Sequence, residues 1–84
     1  MRVKILYGFT KGSCCASYVP VRTKAERMSE LFLGRQVECD LEAVDEENVV
    51  RVVQGDREIM SMPFLGISDE KGLVDMAMSK INKA

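Results

Sequence analysis

Apolar and polar residues alternate at the start of the chain and again near its middle. The segment RVKILYGF places Val3, Ile5 and Tyr7 on one face, and its basic residues lie on the other face. The segment QVECDLEA places Val37 and Leu41 on one face, with acidic residues on the other. A period of two residues is typical of a β-strand with one buried face, so both segments are predicted to be strands.

Between these two strands the apolar residues recur with the period of a helix, over about residues 17–33. The residues of the apolar stripe are Val21, Ala25, Met28 and Phe32. Two starting points are compatible with Pro20, because proline is tolerated only in the first turn of a helix. Either Ser17 is the N-cap, or the helix begins at Pro20 and leaves the preceding cysteines on a loop.

The segment after the second strand predicts a second helix. Asp45 is a suitable N-cap, and Glu46 and Glu47 would lie in the first turn, where the helix dipole favours carboxylates. The four valines of residues 49–53 would form the apolar side of this helix, which is expected to end near Gly55. The acidic stretch is then interpreted as a solvated strand face followed by a helix start.

Two short strands and a last helix complete the prediction. The segment MPFLGIS is predicted to be a third strand, DEKG a turn, and Leu73 and Val74 a short fourth strand in a hairpin with the third. Asp75 would then cap a helix over MAMSKINKA. The predicted order is β-α-β-α-β-β-α, in which the first two strands are parallel because a helix connects them.

Composition limits the classes of function that the chain can have. With 84 residues it is expected to form one domain, residues 1–84. The net charge of −1 and the pI of about 5.4 argue against binding of nucleic acid, which needs a basic surface. No apolar run is long enough for a membrane span, and no signal peptide is recognised, so a cytoplasmic location without membrane attachment is expected.

The cysteines are the best candidates for chemistry. The chain has three cysteines and no histidine, which excludes Cys-His pairs and falls short of a four-ligand zinc site, so no metal is predicted. Cys14 is either a nucleophilic thiolate, its pKa lowered by Lys11 and a helix N-terminus, or an ordinary loop cysteine. A disulfide between Cys14 and Cys15 would be strained. Cys39 shares a strand face with apolar residues and is expected to behave as a small hydrophobic side chain.

Three short motifs, placed along the predicted order of strands and helices, resemble motifs of glutaredoxins. Lys11, Cys14 and Ser17 fit the family's Lys-x-x-Cys-x-x-Cys motif in its monothiol form, with serine at the last position. Ser61-Met62-Pro63 stands where the family has Thr-Val-Pro with a cis-proline, and Gly72-Leu73-Val74-Asp75 stands where it has Gly-Gly-x-Asp. The resemblance implies an α/β, thioredoxin-like fold of glutaredoxin size, with a four-stranded mixed sheet and three helices.

The glutaredoxin resemblance also implies a function. Cys14 would be the catalytic residue and would act on glutathione mixed disulfides, with glutathione or glutathionylated proteins as partners. The residues that would bind glutathione are Lys11, Met62, Pro63, Val74 and Asp75. Monothiol relatives can also hold an iron–sulfur cluster together with glutathione, and the sequence leaves that possibility open.

A second resemblance points to a different function. The segment VECDLEAVDEEN is similar to the middle of the glutamic-acid-rich proteins that bind Src-homology-3 domains, which share the glutaredoxin fold but lack the catalytic cysteines. Their proline-rich ligand segment has no counterpart here, because the chain has two prolines, so their partner class does not transfer. Under this hypothesis the chain is a non-catalytic interaction module, and an exposed sheet edge or the groove at Met62 recognises a protein partner.

Overall fold

A computed structural model describes residues 2–12, 15–66 and 68–82 of the chain. They form five strands, two α-helices and one 3₁₀ turn. In chain order the elements are β1 (Arg2–Lys11), β2 (Ala16–Ser17), α1 (Val19–Leu33), β3 (Glu38–Glu47), β4 (Val49–Gln54), β5 (Arg57–Pro63), the 3₁₀ turn (Phe64–Gly66) and α2 (Glu70–Asn82).

Strand β1 is the centre of the sheet. It pairs in parallel with β3, from Arg2 opposite Glu38 to Tyr7 opposite Ala43. On its other side it pairs antiparallel with β4, which in turn pairs antiparallel with β5. The two-residue strand β2 folds back antiparallel on the last residues of β1. The main part of the sheet therefore has the spatial order β3-β1-β4-β5.

Both helices cover the same face of the sheet, because they contact each other as well as the strands. The core lies between them and the sheet. It is built from alternate residues of β1 and β4, from Ile59 and Met60 at the bulge of β5, from Val37 before β3, and from one stripe of each helix. Each such side chain contributes about 1.5–3 kcal/mol when it is fully buried. The core residues are Val3, Ile5, Tyr7, Val21, Ala25, Met28, Phe32, Val37, Val50, Val52, Ile59, Met60, Val74, Ala77 and Ile81.

The opposite face of the sheet carries charged side chains. The pleat of β1 and β4 turns Lys4 and Arg51 away from the core, towards carboxylates of neighbouring strands. The ion pairs are Arg2–Glu38, Arg2–Asp40, Lys4–Glu42, Arg51–Glu46 and Arg51–Glu58. Exposed ion pairs of this kind contribute about 0–1 kcal/mol each to the free energy of unfolding. They therefore keep this face of the sheet polar and solvated but add little to the stability of the fold.

Strand β3 reaches β4 by crossing over β1 at Gly8. Tyr7 pairs with Ala43 and Phe9 pairs with Glu47, so three residues of β3 lie opposite one residue of β1. A β-carbon on Gly8 would lie 2.0 Å from the carbonyl oxygen of Glu46, so a side chain at this position is incompatible with the crossing. After the crossing, the chain enters β4 on the other side of β1.

Asn48 forms the turn at the end of this crossing. It has a positive φ of 55°, a conformation that asparagine tolerates better than most residues. Its backbone N–H donates to the carbonyl oxygen of Phe9 at 2.7 Å, and its carbonyl oxygen accepts from Phe64 at 3.1 Å. Its side-chain oxygen accepts from the backbone N–H of Leu65, also at 3.1 Å. Asn48 thus joins the end of β1 to the segment that follows β5.

The thioredoxin-like fold predicted from the sequence is wrong, because the described residues form two helices and five strands rather than three helices and four strands. The predicted second helix is instead the end of β3, the turn at Asn48 and strand β4. The valines of β4 are β-branched, and such residues lose side-chain freedom in a helix but pack well on a pleated sheet. In β4, Val50 and Val52 point into the core while Val49 and Val53 are partly exposed.

The predicted hairpin of the third and fourth strands is also wrong. Met62 and Pro63 end strand β5, and the residues after them form the 3₁₀ turn. Leu73 and Val74 belong to α2, which is capped by Asp69 rather than by Asp75. A side-chain oxygen of Asp69 accepts from the backbone N–H of Gly72 at 3.1 Å, as in an N-cap.

Three of the predicted elements are present, although a short strand that the sequence did not predict, β2, lies between the first strand and the first helix. Strand β1, helix α1 and strand β3 lie where the hydrophobic pattern predicts them, and β1 and β3 are parallel. Helix α1 begins at Val19 with Tyr18 as N-cap, between the two starting points that the sequence allowed, and Pro20 lies in its first turn. The hydroxyl oxygen of Ser17 accepts from the backbone N–H of Val19 at 3.2 Å.

Candidate functional site

The β1–β2 hairpin carries the segment that resembles the glutaredoxin thiol motif. The backbone N–H of Gly12 donates to the carbonyl oxygen of Cys15 at 2.9 Å, and both Lys11 and Cys15 are exposed. Cys14, the predicted catalytic residue, lies outside the described residues. Strand β2 and Tyr18 separate Cys15 from helix α1, so the helix does not begin at Cys15.

Met62 and Pro63 lie at the end of β5, opposite Val50 and Val49 of β4. No cis peptide bond occurs among the described residues, so the cis-proline that the glutaredoxin resemblance implies at Pro63 is not present. The Met62 side chain is half-buried against the core, while Pro63 is exposed.

The structure divides the predicted glutathione-binding residues between two places. Lys11 shares a shallow pocket of about 200 Å³ with Leu65, which follows Pro63 closely, so these residues lie at the end of the sheet where β1 ends. Asp75 instead forms an ion pair with Arg35, which precedes the start of β3 at the opposite end of the sheet. A ten-residue strand such as β1 spans about 30 Å.

Val74 offers no surface to a ligand in this arrangement. Its side chain is 1% exposed and belongs to the core contact of α2. The predicted set is therefore gathered only in part: Lys11, Met62 and Pro63 lie towards one end of the sheet, whereas Asp75 lies towards the other and Val74 lies inside.

Cys39 lies on the core side of β3 and is half-buried. Burial, more than any other influence, raises the pKa of its thiol to about 11. The carbonyl oxygen of Cys39 also lies 3.5 Å from the hydroxyl of Ser29 on α1. The thiol is protonated at neutral pH, which agrees with the prediction of a small hydrophobic side chain.

The outer edge of β3 is the feature of the site that sequence reasoning did not locate. Residues 38–43 pair with β1 along one side in an unbroken register, and among the described residues no strand pairs with their other side. The alternation of this segment was readable in the sequence, but its place at the edge of the sheet was not, because the second helix was expected to follow it.

The two faces of this edge differ in chemistry. Glu38, Asp40 and Glu42 lie on the face away from the helices, and their side chains are 64%, 51% and 55% exposed. Cys39 and Leu41 lie on the helix side, partly buried against the core. The edge therefore presents a row of carboxylates on one face and a partly covered apolar row on the other.

Comparison with known proteins gives no support for either resemblance. No family model, no curated protein and no solved structure matches the chain. Both resemblances stay predictions from short motifs. Within the described ranges, no helix is both long and apolar enough to cross a membrane.

Proposed function

We propose that the chain is a protein-interaction module that binds an extended segment of a partner by adding it as a strand beside β3. The observation that supports this proposal is the edge of residues 38–43, six residues paired on one side alone among those described. Unpaired N–H and C=O groups along such an edge are a template for another strand.

The second edge of the sheet, strand β5, is less suited to this role. Its pairing with β4 shifts register between Val52 and Val53, which leaves an extra residue, Ile59, in β5 and bends that edge. Pro63 at its end has no backbone N–H to donate. Of the two edges, β3 has the longer regular stretch.

Binding of peptides by the full-length chain tests the proposal. A library of short extended peptides is selected for binding, and the amide signals of the ¹⁵N-labelled chain are followed as the best binder is added. We expect shifts and slower hydrogen exchange at residues 38–43, and an unchanged affinity in a Cys14→Ser variant. Binders that act only elsewhere on the chain, or the lack of any binder, would overturn the proposal.

Two N-methylated forms of the selected peptide provide the control for strand addition. In an added strand only alternate amides of the peptide point towards β3, so methylation of one set should abolish binding and methylation of the other should not. Equal loss in both forms, or in neither, would contradict pairing through the main chain.

A second candidate is the glutathione-dependent thiol function, which the exposure of both Lys11 and Cys15 on the β1–β2 hairpin favours. The Cys14 thiolate would attack the glutathione sulfur of a mixed disulfide, and the protein thiolate released would take up a proton. A second glutathione thiolate would then attack the Cys14 adduct, releasing oxidised glutathione and restoring Cys14.

The alkylation rate of Cys14 against pH tests this candidate, with mass spectrometry to separate Cys14 from Cys15 and Cys39. A midpoint well below the ordinary value of about 8.5 would support a stabilised thiolate. A midpoint at or above that value would overturn it.

A further inference from the structure

We infer that the strand recognised by β3 carries basic residues at alternate positions, with apolar residues between them. This inference rests on the proposed function and names the partner class: a basic, extended segment of another protein. It follows from the alternation of two kinds of side chain along residues 38–43, because neighbouring strands bring side chains of the same face together.

The carboxylate face fixes the spacing of the basic residues. Glu38, Asp40 and Glu42 are two residues apart, and strands rise about 3.3 Å per residue, so the carboxylates recur about every 6.6 Å. An added strand has the same period, and its side chains lie about 4.5–5.5 Å from those directly opposite. Lysine or arginine at every second position would therefore face one carboxylate each.

Among the residues that the structure describes, these carboxylates form ion pairs with β1, on their inner side. Arg2 forms ion pairs with both Glu38 and Asp40, and the Lys4 ammonium lies 3.6 Å from the carboxylate of Glu42. The hydrogen bond that Arg2 donates to Glu38 is the largest of the influences that raise the pKa of Arg2. Each carboxylate has two oxygens and can accept further hydrogen bonds, and all three side chains are more than half exposed. A cation on an added strand would complete their coordination from the outer side.

The helix-side row supports apolar residues in between. Cys39 and Leu41 pack against the core but stay partly exposed at the edge, and Ala43 is exposed. Apolar side chains on the added strand would cover this row and remove its surface from water. The edge thus favours a strand whose two faces differ in the same way as its own.

A second copy of the chain is a poorer occupant than a basic peptide. Two β3 edges placed side by side would bring carboxylates opposite carboxylates, and like charges directly opposite each other are destabilising. The same carboxylates that attract a basic strand therefore disfavour pairing between two copies.

The test uses three synthetic heptapeptides with blocked ends, which alternate valine with lysine, with threonine or with glutamate. Each is titrated into the ¹⁵N-labelled full-length chain at low and at physiological salt. We expect the lysine peptide to shift the amides of residues 38–43, to bind about tenfold or more tightly than the threonine peptide, and to weaken as salt increases. The glutamate peptide should not bind.

A charge-neutralised variant and a matched control complete the test. The variant combines Glu38→Gln, Asp40→Asn and Glu42→Gln, and the control removes three exposed carboxylates elsewhere with Glu26→Gln, Glu30→Gln and Asp56→Asn. Circular dichroism checks that both fold. We expect about tenfold weaker binding of the lysine peptide by the first and little change in the second.

The outcomes separate the inference from the proposed function. Equal binding of the lysine and threonine peptides at β3 would overturn the inference and leave the strand-adding module standing, as would pairing of two copies through β3. If both triple variants bound the lysine peptide equally weakly, binding would depend on net charge alone, and this outcome would also overturn the inference. If no peptide, including those selected from a library, affects residues 38–43, the proposed function itself fails.

Discussion

Replacement of Gly8 by alanine tests the crossing of β3 over β1. The new methyl carbon would lie 2.0 Å from the Glu46 carbonyl oxygen and 2.9 Å from a methyl carbon of Val49. Close contacts between carbon and oxygen are ordinarily about 3.3 Å or more, so the crossing segment must move by about an ångström or more. The hydrogen bond from Asn48 to Phe9, at 2.7 Å, lies directly beyond the point that must move.

The expected cost follows from these contacts. Overpacking of a tight site costs about 1–3 kcal/mol, and loss of the hydrogen bond to Phe9 adds about 1 kcal/mol. The lower entropy of an unfolded chain with alanine in place of Gly8 offsets up to about 1 kcal/mol. The net destabilisation should lie between about 1 and 4 kcal/mol, with about 2–3 kcal/mol as the central value. This is a large part of the roughly 4–13 kcal/mol expected for a chain of 84 residues.

Urea and thermal unfolding, followed by far-ultraviolet circular dichroism, measure this change. A loss of about 2–3 kcal/mol corresponds to a decrease in Tm of roughly 10–20 °C for a domain of this size. Gly34→Ala is the matched control, because Gly34 has a φ of −61° and its nearest neighbour would lie 3.5 Å from the new β-carbon. The control should be neutral or slightly stabilising. A Gly8→Ala chain within about 0.5 kcal/mol of the wild type would refute the crossing.

Three further predictions concern single side chains. Asn48→Ala should destabilise the fold by about 1–2 kcal/mol in urea unfolding, because it loses the bond to Leu65 and adopts a positive φ less readily; Asn48→Gly, which keeps the conformation, should cost less. Hydrogen bonds from its own backbone N–H and from Lys24 hold the pKa of Glu70 below its ordinary value. Its carboxylate therefore stabilises the fold above about pH 4.5, and that contribution is lost as the pH falls through the lowered pKa. The stability difference between wild type and Glu70→Gln, measured by urea unfolding, should accordingly shrink between pH 6 and pH 3; a difference independent of pH would contradict this. Cys39, with a pKa of about 11, should be alkylated about a hundredfold more slowly at pH 8 in the folded chain than in urea, as mass spectrometry would detect; equal rates would show that the thiol is not protected.

Local pattern predicted the elements whose hydrophobic period was unambiguous. The alternation of β1 and the stripe from Val21 to Phe32 in α1 fit one type of element each, and both are confirmed. The valines of β4 are compatible with either a helix or a strand. Their pattern is two apolar residues, one polar residue and two more apolar residues. Such a pattern can lie on one side of a helix or in a strand that is buried on both faces. The acidic residues before these valines are of the type that is common in the first turn of a helix. In the structure, however, Glu46 forms an ion pair with Arg51 of the next strand, β4.

The prediction for the end of the chain was wrong for a different reason. Asp69 and Glu70 have the residue types of a helix start, but Gly72 two residues later favoured a turn in the sequence-based interpretation. The predicted glutathione residues depended on that error, because Asp75 was placed at a helix start and lies instead within α2, paired with Arg35. Only tertiary structure decides which strand lies at an edge, so the outer side of β3 could not be identified from the sequence.

The central position of β1 has a consequence for synthesis on the ribosome. Its main partners, β3 and β4, follow it by roughly 30 to 50 residues. At about 5–20 residues per second, β1 leaves the ribosome several seconds before β4 can pair with it. During that interval the apolar residues of β1 lack these strand partners. The basic residues Arg2 and Lys4, which later join the charged face of the sheet, give the segment positive charge, and such charge opposes pairing of an apolar strand with other chains.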